Sequence, residues 1–231
     1  MTYTGNVAPG GPSAVRELDA VVVRKASVGP MDNNAYLVTC RATGAQLLVD
    51  AAADPERLVE LVHEGSPRGR LDMIVTTHQH RDHHGALAAL VAATGARTVA
   101  GRADVGGIEV ATDAPVDHGA RLRLGAVSLE VIGLRGHTPG SIALALSEPE
   151  VTRAPGAVAG RTHVFTGDSL FPGGVGNTDH DPARFAQLYA DVTHRLFDRF
   201  RDDTWVCPGH GVDTTLGAER PNLDLWRARG W

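Results

Sequence analysis

Residues 75–85, VTTHQHRDHHG, put four histidines and an aspartate into one short stretch. His78, His80, Asp82 and His83 form the pattern H-x-H-x-D-H. The pattern follows an apolar, strand-like run and precedes a helix-like one. Alternate residues leaving a strand point the same way, so His78 and His80 can serve one ion together. Asp82 and His83, in the turn and at the helix start, face a second point. A solvated histidine loop is the competing reading. Three other segments weigh against it. GHTPGS places His137 after a strand, FTGDSLF places Asp168 at the end of another, and CPGHG places His210 at the end of the last. Each stands beside turn residues that let the backbone approach closely. Five imidazoles and two carboxylates from separated segments suit two divalent ions. Imidazole is a ligand for zinc, iron and similar metals, and a carboxylate can bridge two of them.

These residues need elements to carry them. Strand-like runs are LDAVVVRKASV, AYLVTC, QLLVD, LDMIVTTH, RTVAG, SIALALS, THVFTGD and TWVCPGHG, with RLRLGAVSLEVIGL as a hairpin or two strands. DPERLVELVHEG reads as a helix with Asp54 as N-cap, Pro55 in the first turn and Gly65 as its stop. HGALAALVAATG reads as a second helix closed by Gly95. The longest amphipathic run is 181–200, with Phe185, Leu188, Val192, Leu196 and Phe200 at three- and four-residue steps. Residues 148–161 read as a mobile hairpin loop, and residues 1–14, rich in Gly, Pro and Ser, as a loose tail. The rest, 15–231, reads as one domain. The order of elements fits two mixed β-sheets packed face to face with helices outside, an α/β sandwich.

Composition bounds the partners. The chain has 231 residues, 42% of them hydrophobic and 21% charged, with net charge −5. Lys25 is the only lysine and no basic run occurs, which disfavours nucleic acid or an anionic membrane as partner. Cys40 and Cys207 read as reduced, strand-borne and at least partly buried, so no disulfide framework is expected. The N-terminus has neither a basic n-region nor an apolar h-region, and no run approaches a membrane span. The expected location is the cytoplasm.

THQHRDHHG, GHTPGS, TGDSLF and PGHG stand in the order and approximate spacing of the metallo-β-lactamase superfamily, and the resemblance runs from MDNNAYLV to the C-terminus. TGDSLFPGGVGNTD and TTLGAERPNLDLW are similar to segments of the short glyoxalase II-like (hydroxyacylglutathione hydrolase-like) hydrolases. The resemblance implies an αββα sandwich with two divalent metals at one edge, zinc first, with iron or manganese as alternatives. By motif, His78, His80 and His137 would hold the first metal. Asp82, His83 and His210 would hold the second, and Asp168 would bridge. A hydroxide shared by two dications would attack a small thioester or ester carbonyl. Asp82 would be a ligand or also a proton acceptor. No G-x-S-x-G elbow offers a serine nucleophile.

Around this set, Asp50 at the end of QLLVD reads as a support for the metal loop or as a helix cap. Asn33 and Asn34 read as rim or turn residues. His84 reads as an outer support or a helix-start residue, and His63, His118, His163 and His194 as structural. His180, in NTDHDP, would approach a substrate or simply lie in a loop. The glycines of PGGVG would let a loop pass close to substrate, or form a tight turn.

Three features depart from authentic glyoxalase II. The chain ends 21 residues after His210, where the long enzymes carry a further helical domain. Asn177 stands where those enzymes and the persulfide dioxygenases usually have Arg or Lys, and Val175 where they usually have Cys. A cation at 177 would hold a thiol cofactor's carboxylate. These departures put glutathione conjugates in doubt, and the expected substrate is a small molecule, a thioester of another low-molecular-weight thiol or another small ester. The alternatives are a mononuclear-iron persulfide dioxygenase, with one iron held by two His and one Asp, or a lactonase. A secreted β-lactamase and a nuclease fit poorly: TGDSLF has no Cys ligand, and no RNA-binding arm is visible. A binding protein that had lost its ion fits poorly too, since all seven ligand positions hold competent residues.

Overall fold

The structure, a computed structural model, describes residues 3–230. β-branched and apolar runs bounded by turns become strands, as their pattern requires. In the first sheet β1 (Ala14–Glu17), β2 (Val21–Val28), β3 (Asn33–Cys40) and β4 (Gln46–Val49) pair antiparallel. Three parallel strands extend it: β5 (Met73–Thr76), β6 (Arg97–Gly101) and β7 (Ala114–Val116), in the order β1 to β7. Parallel neighbours need crossovers, which α1 (Pro55–Gly65) and α2 (Leu87–Thr94) supply.

The second sheet takes β8 (Arg121–Leu124), β9 (Val127–Gly133), β10 (Ile142–Ser147) and β11 (Thr162–Gly167). A small hairpin of β12 (Leu170–Phe171) and β13 (Gly174–Val175) follows, then α3 (Pro182–Val192) as the crossover to β14 (Trp205–Pro208). β14 pairs parallel with β11, and β15 (Thr214–Thr215) closes the edge, giving the order β15-β14-β11-β10-β9-β8. Helices α4 (Leu216–Glu219) and α5 (Leu223–Arg229) finish the described chain.

Burial divides into three layers. Between the sheets lie Val23, Tyr36, Val38, Leu47 and Val75 against Leu129, Val131, Leu144 and Phe165. Leu37, Leu48 and Ile74, on the other face of the first sheet, pack on Leu58, Leu61, Leu87 and Leu90 of α1 and α2. Ile132, Ala143, Val164 and Val206 pack on Leu188 and Val192 of α3. The fold is the αββα sandwich expected. β3 is buried along its whole length because both of its faces are covered.

Several local expectations change. Asp54 stands at the α1 N-cap position, but its φ is 51° and its carboxylate accepts from the Gly29 N–H, not from the helix. α2 starts at Leu87 instead of His84, because 81–83 form a 3₁₀ turn that holds the histidines. The long helix is regular only to Val192 and continues as a π-helical turn, Thr193–Phe197, in which Asp198 N donates to Thr193 O. The 148–161 connection is pinned: Asp19 accepts from the N–H groups of Arg153 and Ala154, and buried Glu148 accepts from Val158 N and Arg161 Nε. β1, β7, β15 and the β12–β13 hairpin lie outside the strand-like runs, being too short to show alternation. In the segment read as a tail, Met1 and Thr2 lie outside the described residues. The remainder makes specific contacts: Tyr3 donates to Asp213 at 2.8 Å and Gly5 O accepts from Lys25.

Candidate metal centre

The ends of β5, β11 and β14 and the loop after β9 meet at one edge of the sandwich. Backbone bonds stitch the two sheets there, with Ile142 N donating to Thr77 O and Asn34 N to Gly209 O, while Gly209 N donates to Gly167 O within the second sheet. All seven predicted residues come together at this edge. Ligand atoms of His78, His80 and His137 lie within 4.8 Å of one another, and so do those of Asp82, His83 and His210. Asp168 groups with His78 and His83, one residue from each set. His78, His83 and His137 are buried, while His80 is exposed.

The decisive detail is on the outer nitrogen of each ring. His83 Nδ1 lies 2.8 Å from Asp50 Oδ2, His137 Nδ1 2.7 Å from Asn177 O, and His210 Nδ1 2.9 Å from Met31 O. Each of these partners can only accept from the ring. His78 Nδ1 lies 3.1 Å from Thr77 Oγ1, whose proton goes to Asp50 Oδ2. In the neutral form that binds a metal, each of these four rings would therefore keep its proton on Nδ1 and leave the Nε2 lone pair facing inward. Those lone pairs converge: Nε2 to Nε2 is 3.2 Å for His78–His137 and 3.2 Å for His83–His210. Carboxylates add to the same focus, with Asp82 Oδ2 3.3 Å from His210 Nε2 and Asp168 Oδ1 3.3 Å from His83 Nε2. Asp168 Oδ1 is buried with no hydrogen-bond partner. With the rings neutral, acceptors face acceptors at this range, and a cation between them relieves the repulsion; without one, a proton on His83 does so. The donor set is therefore one that two divalent ions fit.

The electrostatics agree. Burial alone would lower His83, but Asp50 and Asp168 overcome it and hold it up at about 10. Burial and the neighbouring His83 push His78 well below the ordinary 6.5. Burial also lowers His137. Burial works against ionised Asp168, yet His210 and His83 hold its pKa far below the usual range. Asp50 and Asp168 thus draw positive charge to His83, while burial favours the neutral form of His78 and His137.

Other residues support the set. Asp50, at φ 60°, accepts from Thr77 N, Thr77 Oγ1 and His83, so support of the metal loop is the role its geometry shows. Asn33 Nδ2 donates to Asp82 Oδ2, and Asn34 donates to Pro208 O and Gly211 O on either side of His210. Buried Lys25 donates to Gly211 O, Gly5 O and Asp213, each at 2.7 Å. Two glycines admit the crowding: a Cβ on Gly209 would strike Asp168 and His83, and one on Gly176 would strike the Asp168 carbonyl.

Sequence reading missed Lys25 as a support, and two more besides. Fully buried Asp104 accepts from Gln79 N, Thr138 Oγ1 and Gly140 N, tying the His78–His80 segment to the His137 turn. Arg184 of α3 donates to Gly136 O and His137 O. Neither residue lies in a motif, and only an apolar-flanked acid in RADVGG could have hinted at the first. Among the remaining histidines, His84 lies 3.1 Å from Gln79 O, His118 accepts from Gly133 N, and His163 pairs with Glu148. His180 is exposed at φ 56°. Asn177 contributes its carbonyl to His137, while its side chain turns to Asp179.

Comparison with known proteins follows the same lines. The metallo-beta-lactamase superfamily model matches residues 28–152. A hydroxyacylglutathione hydrolase of a Polaromonas species is 34% identical over 76% of this chain and 60% of its own length. One from Rhodobacter capsulatus is 34% identical over 86% of this chain and 70% of its own. Among solved structures, TTHA1623 in a di-iron-bound form has TM-score 0.66 and 32% identity, covering 85% of this chain and 96% of that one. ETHE1 from Myxococcus xanthus has TM-score 0.71 and 28% identity, covering 89% and 84%. The chain spans 60% to 65% of the length of the first curated relatives it matches. A matched model over more than half the chain, and relatives 34% identical over three quarters of it or more, make this chain a member of the metallo-beta-lactamase superfamily, on its glyoxalase II-like side.

Proposed function

We propose that the protein is a dinuclear metal-dependent hydrolase of small thioesters or related esters. The observation that carries the reading is the convergence of four Nδ1-anchored imidazoles and two carboxylates on one focus. His78, His80 and His137 would hold one ion, Asp82, His83 and His210 the other, and Asp168 would bridge. Two bound dications would acidify a water toward neutrality and supply charge to the oxyanion of an attacked carbonyl. The chain's own residues do the rest. Asp50, Asn177 and Met31 fix ring orientation through Nδ1. Asp82, kept ionised by Asn33 and His83 against the cost of burial, would serve as a ligand alone or also take the proton lost by the water.

The substrate side is only partly polar. Exposed Met31 and Val212 and half-buried Phe171, 6.4 Å ring to ring from His210, give an apolar flank for an acyl or thiol group. With Val175 and Asn177 in the β12–β13 loop region, no side chain at these two positions offers a cation to a thiol cofactor's carboxylate. The hydroxyacylglutathione hydrolases supply the reaction class, and TTHA1623, solved in a di-iron-bound form, supports a two-ion site.

A mononuclear-iron persulfide dioxygenase is the second reading. It rests on the likeness to ETHE1 and on Asp168 standing within reach of two imidazoles. Elemental analysis of protein purified without chelator, with a thioester assay, separates the two. Close to two metals per chain with thioester turnover supports the hydrolase. One iron per chain with persulfide-dependent oxygen uptake and no hydrolysis replaces it.

A further inference from the structure

A separate cleft lies away from the metal edge. It measures ≈ 890 Å³ and lies between the N-terminal segment, β1 and the turn at Pro155 and Gly156. None of the seven cluster residues lines it. Its walls are mostly apolar, with Val7, Ala8, Pro12, Ala14, Val15 and Pro155. The size is that of a small-molecule site, commonly about 300–1,000 Å³.

One charged residue on this wall is unsatisfied. Arg16 is only 6% exposed, and its Nη1 is enclosed with no hydrogen-bond partner. Its guanidinium makes no ion pair or side-chain hydrogen bond to any described residue. It stacks instead, 4.1 Å from the Trp205 ring and 5.3 Å from that of Tyr3. Stacking steadies the charge but gives its N–H donors no acceptor. Nearby acids are engaged elsewhere: Glu148 accepts from His163, Arg161 and Val158 N, and Asp213 accepts from Lys25, Tyr3 and Trp205. Glu17, also on the wall, faces Arg41 at 3.7 Å. Burial and the neighbouring Arg161 both push the Arg16 pKa down, as expected for a buried cation short of counter-charge. Nη1 is walled off from any ligand, so the donors open to the cleft are Nε and Nη2, which are not enclosed in this way and have no acceptor among the described residues.

We propose that this cleft binds a small carboxylate with an apolar body, with Arg16 as the ion-pair partner and Trp205 and Tyr3 as the aromatic floor behind it. A carboxylate matches the planar fork of the guanidinium, and the apolar walls take the remainder of the molecule.

Octanoate is the probe, titrated calorimetrically into the full metal-loaded chain, with inorganic phosphate in parallel. The expected result is saturable binding of about one octanoate per chain. It should weaken at least 10-fold in Arg16→Met, persist in His80→Ala, and exceed phosphate binding at least 10-fold. Ala14→Phe, which narrows the cleft and leaves Arg16 in place, should lose binding too. Without ligand, Arg16→Met should melt no lower than the parent chain, because it removes an unpaired buried charge. Equal binding by Arg16→Met, loss confined to His80→Ala, phosphate binding as strong as octanoate, or no octanoate binding at all would each overturn the proposal. So would a marked fall in melting temperature for Arg16→Met, since Arg16 would then be a structural stack.

Discussion

At the scale of single residues, the chemistry depends on which nitrogen of each histidine faces inward. Asp50 determines that for two neighbours at once, directly for His83 and through Thr77 for His78. Asp50→Asn keeps a residue type that tolerates a positive φ but removes the charge that orients His83. Metal affinity, measured by competition with a chromophoric chelator, should fall about 10–100-fold. His80 is exposed, so its loss leaves the packing alone. His80→Ala should lower thioester hydrolysis by roughly two orders of magnitude or more, with an unchanged far-UV spectrum. Full activity in that variant would end the dinuclear mechanism.

At the scale of elements, the metal edge is held by parts that carry no ligand. β2 brings Lys25 to Gly211 and Asp213, beside His210, where the ion pair is fully buried. Lys25→Met leaves Asp213 with an uncompensated buried charge and should cost about 3–5 kcal/mol in denaturant melts. Pairing it with Asp213→Leu should recover part of that loss. α3 is the other support: Leu188 is fully buried under the second sheet, and Arg184 of the same helix holds the His137 turn. Leu188→Ala should cost about 2–5 kcal/mol and loosen that turn. A cost well under 1 kcal/mol would mean that the helix packs less tightly than its burial indicates.

At the scale of the whole molecule, metals and protons compete for the fold. Because two ions would bind the folded chain and not an unfolded one, chelation should lower the melting temperature. His163 adds a separate pH dependence at a distance from the metals. Burial holds its pKa below the ordinary 6.5, despite the pull of Glu148. The unfolded chain therefore takes up this proton more readily, and stability rises with pH between the folded pKa and 6.5, then levels off. The stability difference between His163→Gln and the parent chain should change with pH only below about 6.5. A difference that stays flat down to pH 5 would contradict the buried placement of His163.

What could be read from the sequence were the features that repeat locally. Apolar, β-branched runs named the main strands, capping and stop residues the two shorter helices and three- and four-residue steps the long one, and turn residues beside His78, His80, Asp82, His83, His137, Asp168 and His210 named one chemistry. Periodicity is short-ranged, so it reaches these and no further. Two-residue strands such as β12 and β15 have no period to show. Asp104, Arg184 and Lys25 resemble any other charged residues until the folded chain brings them to backbone atoms tens to hundreds of positions away. Only the tertiary structure could decide these roles. A buried charge is defined by what surrounds it, and here those surroundings come from both sheets at once.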